Sequence, residues 1–148
     1  MNNLDSNNPI TILLVEDNPG DIRLLQEIFR EGKVCNHLEI VRNGADAMAF
    51  LRKEGPYAEA PRPDLILLDL NLPKKNGNEV LAEIKQDEKL KRIPVIILTA
   101  SQSEEDVSTA YNHYANCYLT KPIDLDQFIE VVHQIKSFWL SIVKIPEE

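Results

Sequence analysis

Cysteine and positive charge are both scarce in this sequence, and each shortage excludes a class of protein. The two cysteines, Cys35 and Cys117, form no C-x-x-C pair, which indicates reduced packing residues of a cytoplasmic protein rather than a disulfide scaffold. Lysine and arginine number 16 against 24 acidic residues, for a net charge of −8, and no basic stripe is interleaved with aromatic residues. We therefore expect no nucleic-acid partner.

Long apolar runs and several catalytic motifs are also missing. No run approaches the ~18 residues of a membrane span, so we expect no membrane partner. The histidines, His37, His113 and His133, lack ligand spacing with each other or with the cysteines, which argues against zinc. The sequence holds no G-x-x-x-x-G-K-[ST] phosphate loop, no G-x-G-x-x-G and no G-x-S-x-G nucleophile elbow.

Acidic residues stand where two apolar runs stop. The run 10–15 (ITILLV) is followed directly by Glu16 and Asp17, and the run 64–68 (DLILL) is followed by Asp69. Apolar runs bounded by turn residues are typical of buried parallel strands. Polar residues just past such strands lie at the sheet edge where α/β proteins bind ligands, so we expect these carboxylates to converge.

A lysine follows the last apolar run, because residues 117–119 (CYL) lead into Thr120, Lys121 and Pro122. Neighbouring carboxylates raise one another's pKa and repel a phosphate, and a hard divalent cation relieves both effects. Phosphoryl transfer needs mainly positioning and charge neutralisation. Three acids and one lysine at one sheet edge therefore predict a metal-assisted phosphoryl site centred on Asp69.

Strand and helix patterns alternate along the chain. Each predicted strand is followed by a helical pattern, and the strands cover residues 10–15, 37–41, 64–68, 94–98 and 117–119. Asn18 is a predicted helix cap, a helix opens at Asn43, and Ser103 and Asp124 are predicted to cap the fourth and last helices. Five repeats of strand then helix predict an α/β fold with a parallel sheet and helices on both faces.

The predicted domain organisation follows from these elements. We expect a flexible leader over residues 1–9, one α/β domain over residues 10–136, and an extension of the last helix with the C-terminal tail over residues 137–148. No second domain is expected after the last helix, so we expect the output to be a contact with another protein, a phosphorelay or self-association.

Four short motifs occur in one order on this alternating pattern: Glu16-Asp17, the run LILLDLNLP around Asp69, Thr99-Ala100 and Lys121-Pro122. Together they resemble the receiver domain of bacterial two-component response regulators, over roughly residues 11–136. The segment EDNPGDIRLL and the unusual tail resemble, in detail, the small regulators of cyanobacterial phytochrome kinases. The resemblance implies a flavodoxin-like sheet of strand order 2-1-3-4-5, with strands 1 and 3 side by side.

The resemblance also implies a role for each residue of the acidic site. Asp69 would accept a phosphoryl group from a sensor histidine kinase, for example a phytochrome. Asp17 would bind Mg²⁺ (or Mn²⁺) directly, Glu16 would act through water, and the backbone carbonyl of Asn71 would complete the protein ligands. Lys121 would pair with the phosphoryl oxygens.

Two further residues are implied to carry the signal onward. Thr99 and Tyr118 would be switch residues, so that Thr99 moves toward the phosphoryl group and Tyr118 fills the space left behind. The surface that changes would be formed by the fourth helix, the fifth strand and the last helix. Its partner would be an unknown downstream protein or a phosphotransfer protein.

Apolar residues continue past the predicted end of the domain, in the segment FWLSIVKI. A surface helix needs only one apolar stripe, and this segment is apolar on several sides. We expect a homodimer interface that includes Phe138, Trp139, Ile142 and Val143. The alternative is a longer helix that folds back on its own core.

Each of these residues has an ordinary interpretation when it is taken alone. Asp17 could open a turn, Lys121 could be a surface lysine, and Tyr118 could be a packing residue. Two other functions remain open: a receiver-like scaffold that works without phosphorylation, and a phosphatase with an aspartyl nucleophile. Phosphatases of that type carry a D-x-D motif at strand one, in which the second Asp acts as acid and base. Here the acidic motif lies at strand three and reads Asp-Leu-Asn, so that second acid is missing.

Overall fold

The computed structural model describes residues 10–31, 36–99, 117–121 and 126. In these ranges five strands form one sheet: β1 (Ile10–Val15), β2 (Asn36–Val41), β3 (Leu65–Asp69), β4 (Val95–Thr99) and β5 (Cys117–Thr120). The strand order is β2-β1-β3-β4-β5, and every neighbouring pair is parallel. The expected flavodoxin-like order is confirmed.

Three α-helices lie between the described strands: α1 (Pro19–Glu31), α2 (Gly44–Arg52) and α3 (Gly77–Gln86), with a 3-10 turn at Gly55–Tyr57. The predicted cap of α1 is present, since Asn18 Oδ1 accepts hydrogen bonds from the backbone nitrogens of Gly20 at 2.8 Å and Asp21 at 3.0 Å. Asn43 caps α2 in the same way. The predicted helix capped by Ser103 lies outside the described residues, and of the last helix, with its predicted cap Asp124, only Asp126 is described, as helical.

Helices cover both faces of the sheet. Alternate strand residues point to opposite faces, so Leu13, Ile66 and Ile97 pack with α2 and α3, while Ile12, Leu67 and Ile96 pack with α1. The apolar face of α1 is buried, and only Leu24 of its large apolar residues is exposed. No described helix is long and apolar enough to cross a membrane.

Strands β3 and β4 each lie one residue later than the sequence pattern predicts. Asp69 is itself the last residue of β3, because it continues the parallel ladder in register with Leu98. Asp64 precedes β3 and exchanges two hydrogen bonds with the backbone of Thr11, one through its carboxylate at 2.8 Å and one through its own nitrogen at 2.7 Å. Helix α3 begins at Gly77, directly after its cap Asn76.

Candidate functional site

Three carboxylates meet at the carboxyl edge of β1 and β3. The two strands are neighbours, and Val15 is in register with Leu68, so the residues that follow Val15 lie beside the end of β3. Glu16 and Asp69 are buried and Asp17 is exposed, and one oxygen of each carboxylate lies within 4.8 Å of the others. The structure thus brings together the three acids that the sequence predicts to converge.

The oxygens of this cluster suit a hard divalent cation. Carboxylate oxygens are the ligands that Mg²⁺ and Mn²⁺ prefer. Glu16 Oε2 accepts a hydrogen bond from the backbone nitrogen of Asn18 at 3.1 Å. Oε1 is buried and, among the described residues, receives no hydrogen bond of good geometry, although Lys121 lies close enough for an ion pair. A buried, incompletely satisfied carboxylate oxygen fits a metal position.

The Lys121 ammonium lies among three carboxylates. Its Nζ is 2.8 Å from Glu16 Oε1, 2.8 Å from Asp21 Oδ2 and 3.3 Å from Asp69 Oδ2. The lysine side chain is only 12% exposed, so these contacts are weakly screened by water. Strand β5 sets this position, because Lys121 comes directly after its last residue, Thr120.

Burial and charge act in opposite directions on the pKa of the lysine, whereas burial is the main cause of the raised pKa of the buried glutamate. Burial by itself lowers the pKa of Lys121, but the carboxylates of Asp21, Glu16 and Asp69 outweigh it and hold that pKa above its ordinary value. Burial raises the pKa of Glu16 to about 7, with Asp69 acting in the same direction and Lys121 against it. The edge therefore holds more negative charge than Lys121 neutralises.

Asp21 was not predicted from the sequence as a site residue. It follows no strand but lies in the first turn of α1, four positions after Asp17, where an acidic residue is favoured by the helix dipole. The helix dipole is enough to explain an acid at this position, so the sequence gives no reason to expect its contact with Lys121. The signal that could have revealed it is the geometry of a helix that starts at the same sheet edge.

The loop after Asp69 is tightly packed against backbone. Asp69 Oδ1 accepts a hydrogen bond from the backbone nitrogen of Asn71 at 3.1 Å, and the backbone nitrogen of Gly77 donates to Leu70 O at 3.0 Å. A Cβ on Gly77 would lie 2.4 Å from Asp69 O, and a Cβ on Gly44 would lie 1.9 Å from the carbonyl oxygen of Lys75. Only glycine allows these approaches, which fix the chain on both sides of Asn71.

The predicted switch residues lie on the strands nearest Lys121. Thr99 ends β4 in register with Thr120, and Tyr118 of β5 is in register with Ile97. Their roles stay predictions. The predicted interface residues Phe138, Trp139, Ile142 and Val143 lie outside the described residues.

Comparison with known proteins points to one family. A family model described as the response regulator receiver domain matches residues 12–133. The chain is 54% identical to response regulator Rcp1 of Synechocystis sp. over 142 residues, which are 96% of this chain and 97% of that relative.

Solved structures agree with the sequence comparison. The Mn²⁺-bound form of response regulator Rcp1 is similar with a TM-score of 0.78 and 56% identity, over 89% of this chain and 95% of that one. The phosphorylated cyanobacterial phytochrome response regulator RcpA is similar with a TM-score of 0.78 and 55% identity, over 90% of this chain and 95% of that one.

Proposed function

Because the chain belongs to the response regulator receiver family, we propose that Asp69 is its phosphoacceptor and that Lys121 and the acidic cluster carry the phosphoryl transfer. The chain is a receiver that works by phosphorylation and is not a metabolic enzyme. The observation that supports the residue assignment is the contact of the Lys121 ammonium with Asp69 Oδ2 at 3.3 Å, beside the carboxylates of Glu16 and Asp17.

The reaction uses Asp69 as a covalent nucleophile. A carboxylate oxygen of Asp69 attacks the phosphorus of a phosphohistidine, the P–O bond forms, and the P–N bond breaks with its electron pair going to the imidazole nitrogen. Lys121 then neutralises charge on the phosphoryl oxygens. Hydrolysis resets the switch. Water attacks phosphorus, the P–O bond to Asp69 breaks, and the products are the free Asp69 carboxylate and inorganic phosphate.

A divalent cation fits the acidic cluster, and Mg²⁺ (or Mn²⁺) is the ion that we propose. Glu16, Asp17, Asp69 and the backbone carbonyl of Asn71 would hold it. When bound, it neutralises charge on the transferred group and on the acids. The chain's own contribution is to hold these oxygens in place: the backbone of Asn18 fixes Glu16, and the backbone of Asn71 fixes Asp69.

The sensor and output partners follow from the relatives. Phytochrome response regulators among them imply a sensor kinase as the donor, and we propose that this kinase is a phytochrome. Downstream, an unknown protein or a phosphotransfer protein would receive the signal. We keep the proposal of a homodimer through the last helix, which sedimentation as a monomer at micromolar concentration with and without phosphorylation would contradict.

Thr99 and Tyr118 are the proposed switch residues. The proposal is supported by their places on β4 and β5, next to the strand end that carries Lys121. Thr99→Ala should still become phosphorylated but should lose the change in partner binding. An unchanged response in that variant would rule out a switch role for Thr99.

Intact-protein mass after incubation with acetyl phosphate tests the function directly. We expect a gain of one phosphoryl group that requires Mg²⁺ and is lost in Asp69→Asn. The matched control is Asp64→Asn, which removes an acid at the opposite end of β3 and should remain phosphorylated. If the wild type gains no mass and also fails to bind beryllofluoride, the scaffold without phosphorylation becomes the better explanation.

A further inference from the structure

Helix α1 supplies Lys121 with a carboxylate that the phosphoryl transfer does not use. Asp21 Oδ2 lies 2.8 Å from Nζ, as close as Glu16 Oε1 and closer than Asp69 Oδ2 at 3.3 Å. The ammonium is therefore paired more closely with α1 and the end of β1 than with the proposed phosphoacceptor.

The position of Asp21 is fixed by its own helix. Its backbone nitrogen donates to Asn18 Oδ1 at 3.0 Å, so the residue is anchored by the cap of α1. Its side chain is 29% exposed, whereas the side chains of Glu16 and Asp69 are 0% and 5% exposed. Asp21 can exchange its contact with Lys121 for water, which the two buried acids cannot do as easily.

A phosphoryl group on Asp69 changes the competition for Lys121. The ammonium has three N–H donors, and three carboxylates already surround it. Phosphorylation adds acceptor oxygens and negative charge at Asp69. A bound cation would offset the charge of Glu16, so Asp21 is the carboxylate that keeps its full charge and competes with the phosphoryl oxygens.

We propose that Asp21 is a positioning residue that competes with the phosphoryl oxygens for the Lys121 ammonium and so sets how strongly the site holds a phosphoryl group. This inference rests on the proposed function of Asp69 and Lys121. Because Asp21 is partly exposed, water screens its attraction to Lys121 and keeps the effect modest. Its removal should strengthen phosphoryl binding by about three- to fivefold.

Beryllofluoride, a phosphoryl analogue, is the probe that tests this inference. Titration in saturating Mg²⁺, followed by ¹⁹F NMR, should show about three- to fivefold tighter binding for Asp21→Asn than for the wild type. With acetyl phosphate, KM should fall by a similar factor while the rate at saturation stays unchanged. Asp21→Glu should restore behaviour close to the wild type because it keeps the charge.

Glu27→Gln is the matched control for net charge. Glu27 lies on α1 and pairs with Arg30 at 2.9 Å, on the exposed side of the helix, so its loss should leave beryllofluoride affinity unchanged. Equal tightening in Glu27→Gln would show a general charge effect and overturn the inference. Unchanged or weaker binding in Asp21→Asn would overturn it as well.

A replacement variant and the wild type itself cover two further outcomes. Should Asp21→Asn not fold, Asp21→Ser replaces it with the same expected result, since serine also removes the charge and keeps a small polar group. A wild type that neither binds beryllofluoride nor becomes phosphorylated would overturn the proposed function and this inference together. The contradicting results for Asp21→Asn or Glu27→Gln, obtained with a wild type that binds beryllofluoride and becomes phosphorylated, would overturn this inference alone.

Discussion

The two edges of the sheet each hold a partly buried lysine, and the two lysines differ in the charge of their partners. At the carboxyl edge, Lys121 faces three carboxylates within 3.3 Å. At the amino edge, at the end of α3, Lys85 donates to the backbone oxygens of Lys91 at 3.1 Å and Ile93 at 3.0 Å. Burial lowers the pKa of Lys85, whereas the carboxylates raise that of Lys121 despite its burial.

The two lysines differ as a structural cation differs from one that suits the proposed phosphoryl chemistry. The carbonyl partners of Lys85 are neutral dipoles, so this lysine closes the turn before β4 and leaves no excess negative charge to attract a cation. The partners of Lys121 are anions in excess of it, so the edge attracts a cation and Lys121 can serve an incoming anion. Burial of a lysine alone therefore indicates neither role, and the charge of its partners decides.

Replacing each lysine by methionine should give the largest contrast. Lys121→Met should slow phosphorylation by acetyl phosphate at least about 100-fold, because the charge on the phosphoryl oxygens loses its partner. It should also lower the free energy of unfolding without metal by about 3 kcal/mol, since buried carboxylates lose their cation. Lys85→Met should cost about 1 kcal/mol and leave phosphorylation unchanged.

Intact-protein mass over time and urea unfolding measure these two effects on the same samples. The contrast between the two lysines would be contradicted if Lys85→Met slowed phosphorylation as much as Lys121→Met does. Such a result would mean that the amino edge also contributes to the chemistry.

Gly77→Ala should show how rigid the backbone is at the carboxyl edge. The new Cβ would lie 2.4 Å from Asp69 O and 2.5 Å from Leu70 Cα, so the strand end or α3 must move. We expect a loss of about 2–3 kcal/mol in the free energy of unfolding and slower phosphorylation, because Asp69 shifts with its backbone.

Gly20→Ala is the matched control for that substitution. Gly20 lies in the first turn of α1, and the nearest atom to its added Cβ is the side-chain oxygen of Asn18 at 3.3 Å, with no backbone in the way. Its unfolding free energy should stay within about 0.5 kcal/mol of the wild type. Equal costs in Gly77→Ala and Gly20→Ala would contradict the tight packing at Asp69.

Metal binding at the carboxyl edge should depend on pH through Glu16. The pKa of Glu16 is raised from 4.5 to about 7, so below pH 7 a cation must displace a proton. Mg²⁺ affinity should be about tenfold weaker at pH 6 than at pH 8. Calorimetry in two buffers should detect the released proton, and Glu16→Gln should bind weakly at both pH values.

The same pKa has a consequence for stability without metal. The folded protein binds the Glu16 proton more strongly than the unfolded chain, so this group's contribution falls as the pH rises from about 4.5 to about 7. Bound Mg²⁺ should restore the stability that is lost. Equal Mg²⁺ affinity at pH 6 and pH 8 would show that Glu16 is already ionised at pH 6.

Much of the fold could be predicted from local sequence patterns. Buried apolar runs located the strands, and an asparagine followed by proline located the start of α1 at Pro19. The neighbouring positions of Glu16 and Asp69 followed once strands 1 and 3 were placed side by side, and that order came from the family resemblance rather than from periodicity.

What could not be predicted depends on contacts between distant elements. The extra residue of β3, Asp69, belongs to the strand because Leu98 pairs with it, and a run of apolar letters does not show its partner. Sequence alone does not separate Asp21 from other acids in a first helical turn, or Lys85 from other lysines in a last turn. Their partners are set by how α1 and α3 pack on the sheet edges.

The position of Lys121 in the chain bears on the order of folding. Lys121 lies 52 positions after Asp69 and still farther from Glu16, so during synthesis the acids emerge long before their cation. Contacts this distant in sequence form late, after the costs of closing a long loop are met. Until β5 pairs with β4, the carboxyl edge is a cluster of repelling acids, and dissolved divalent cations are the natural substitute for the missing ammonium. If divalent ions bind the folded site as proposed, the same ions would thus also assist its folding during synthesis.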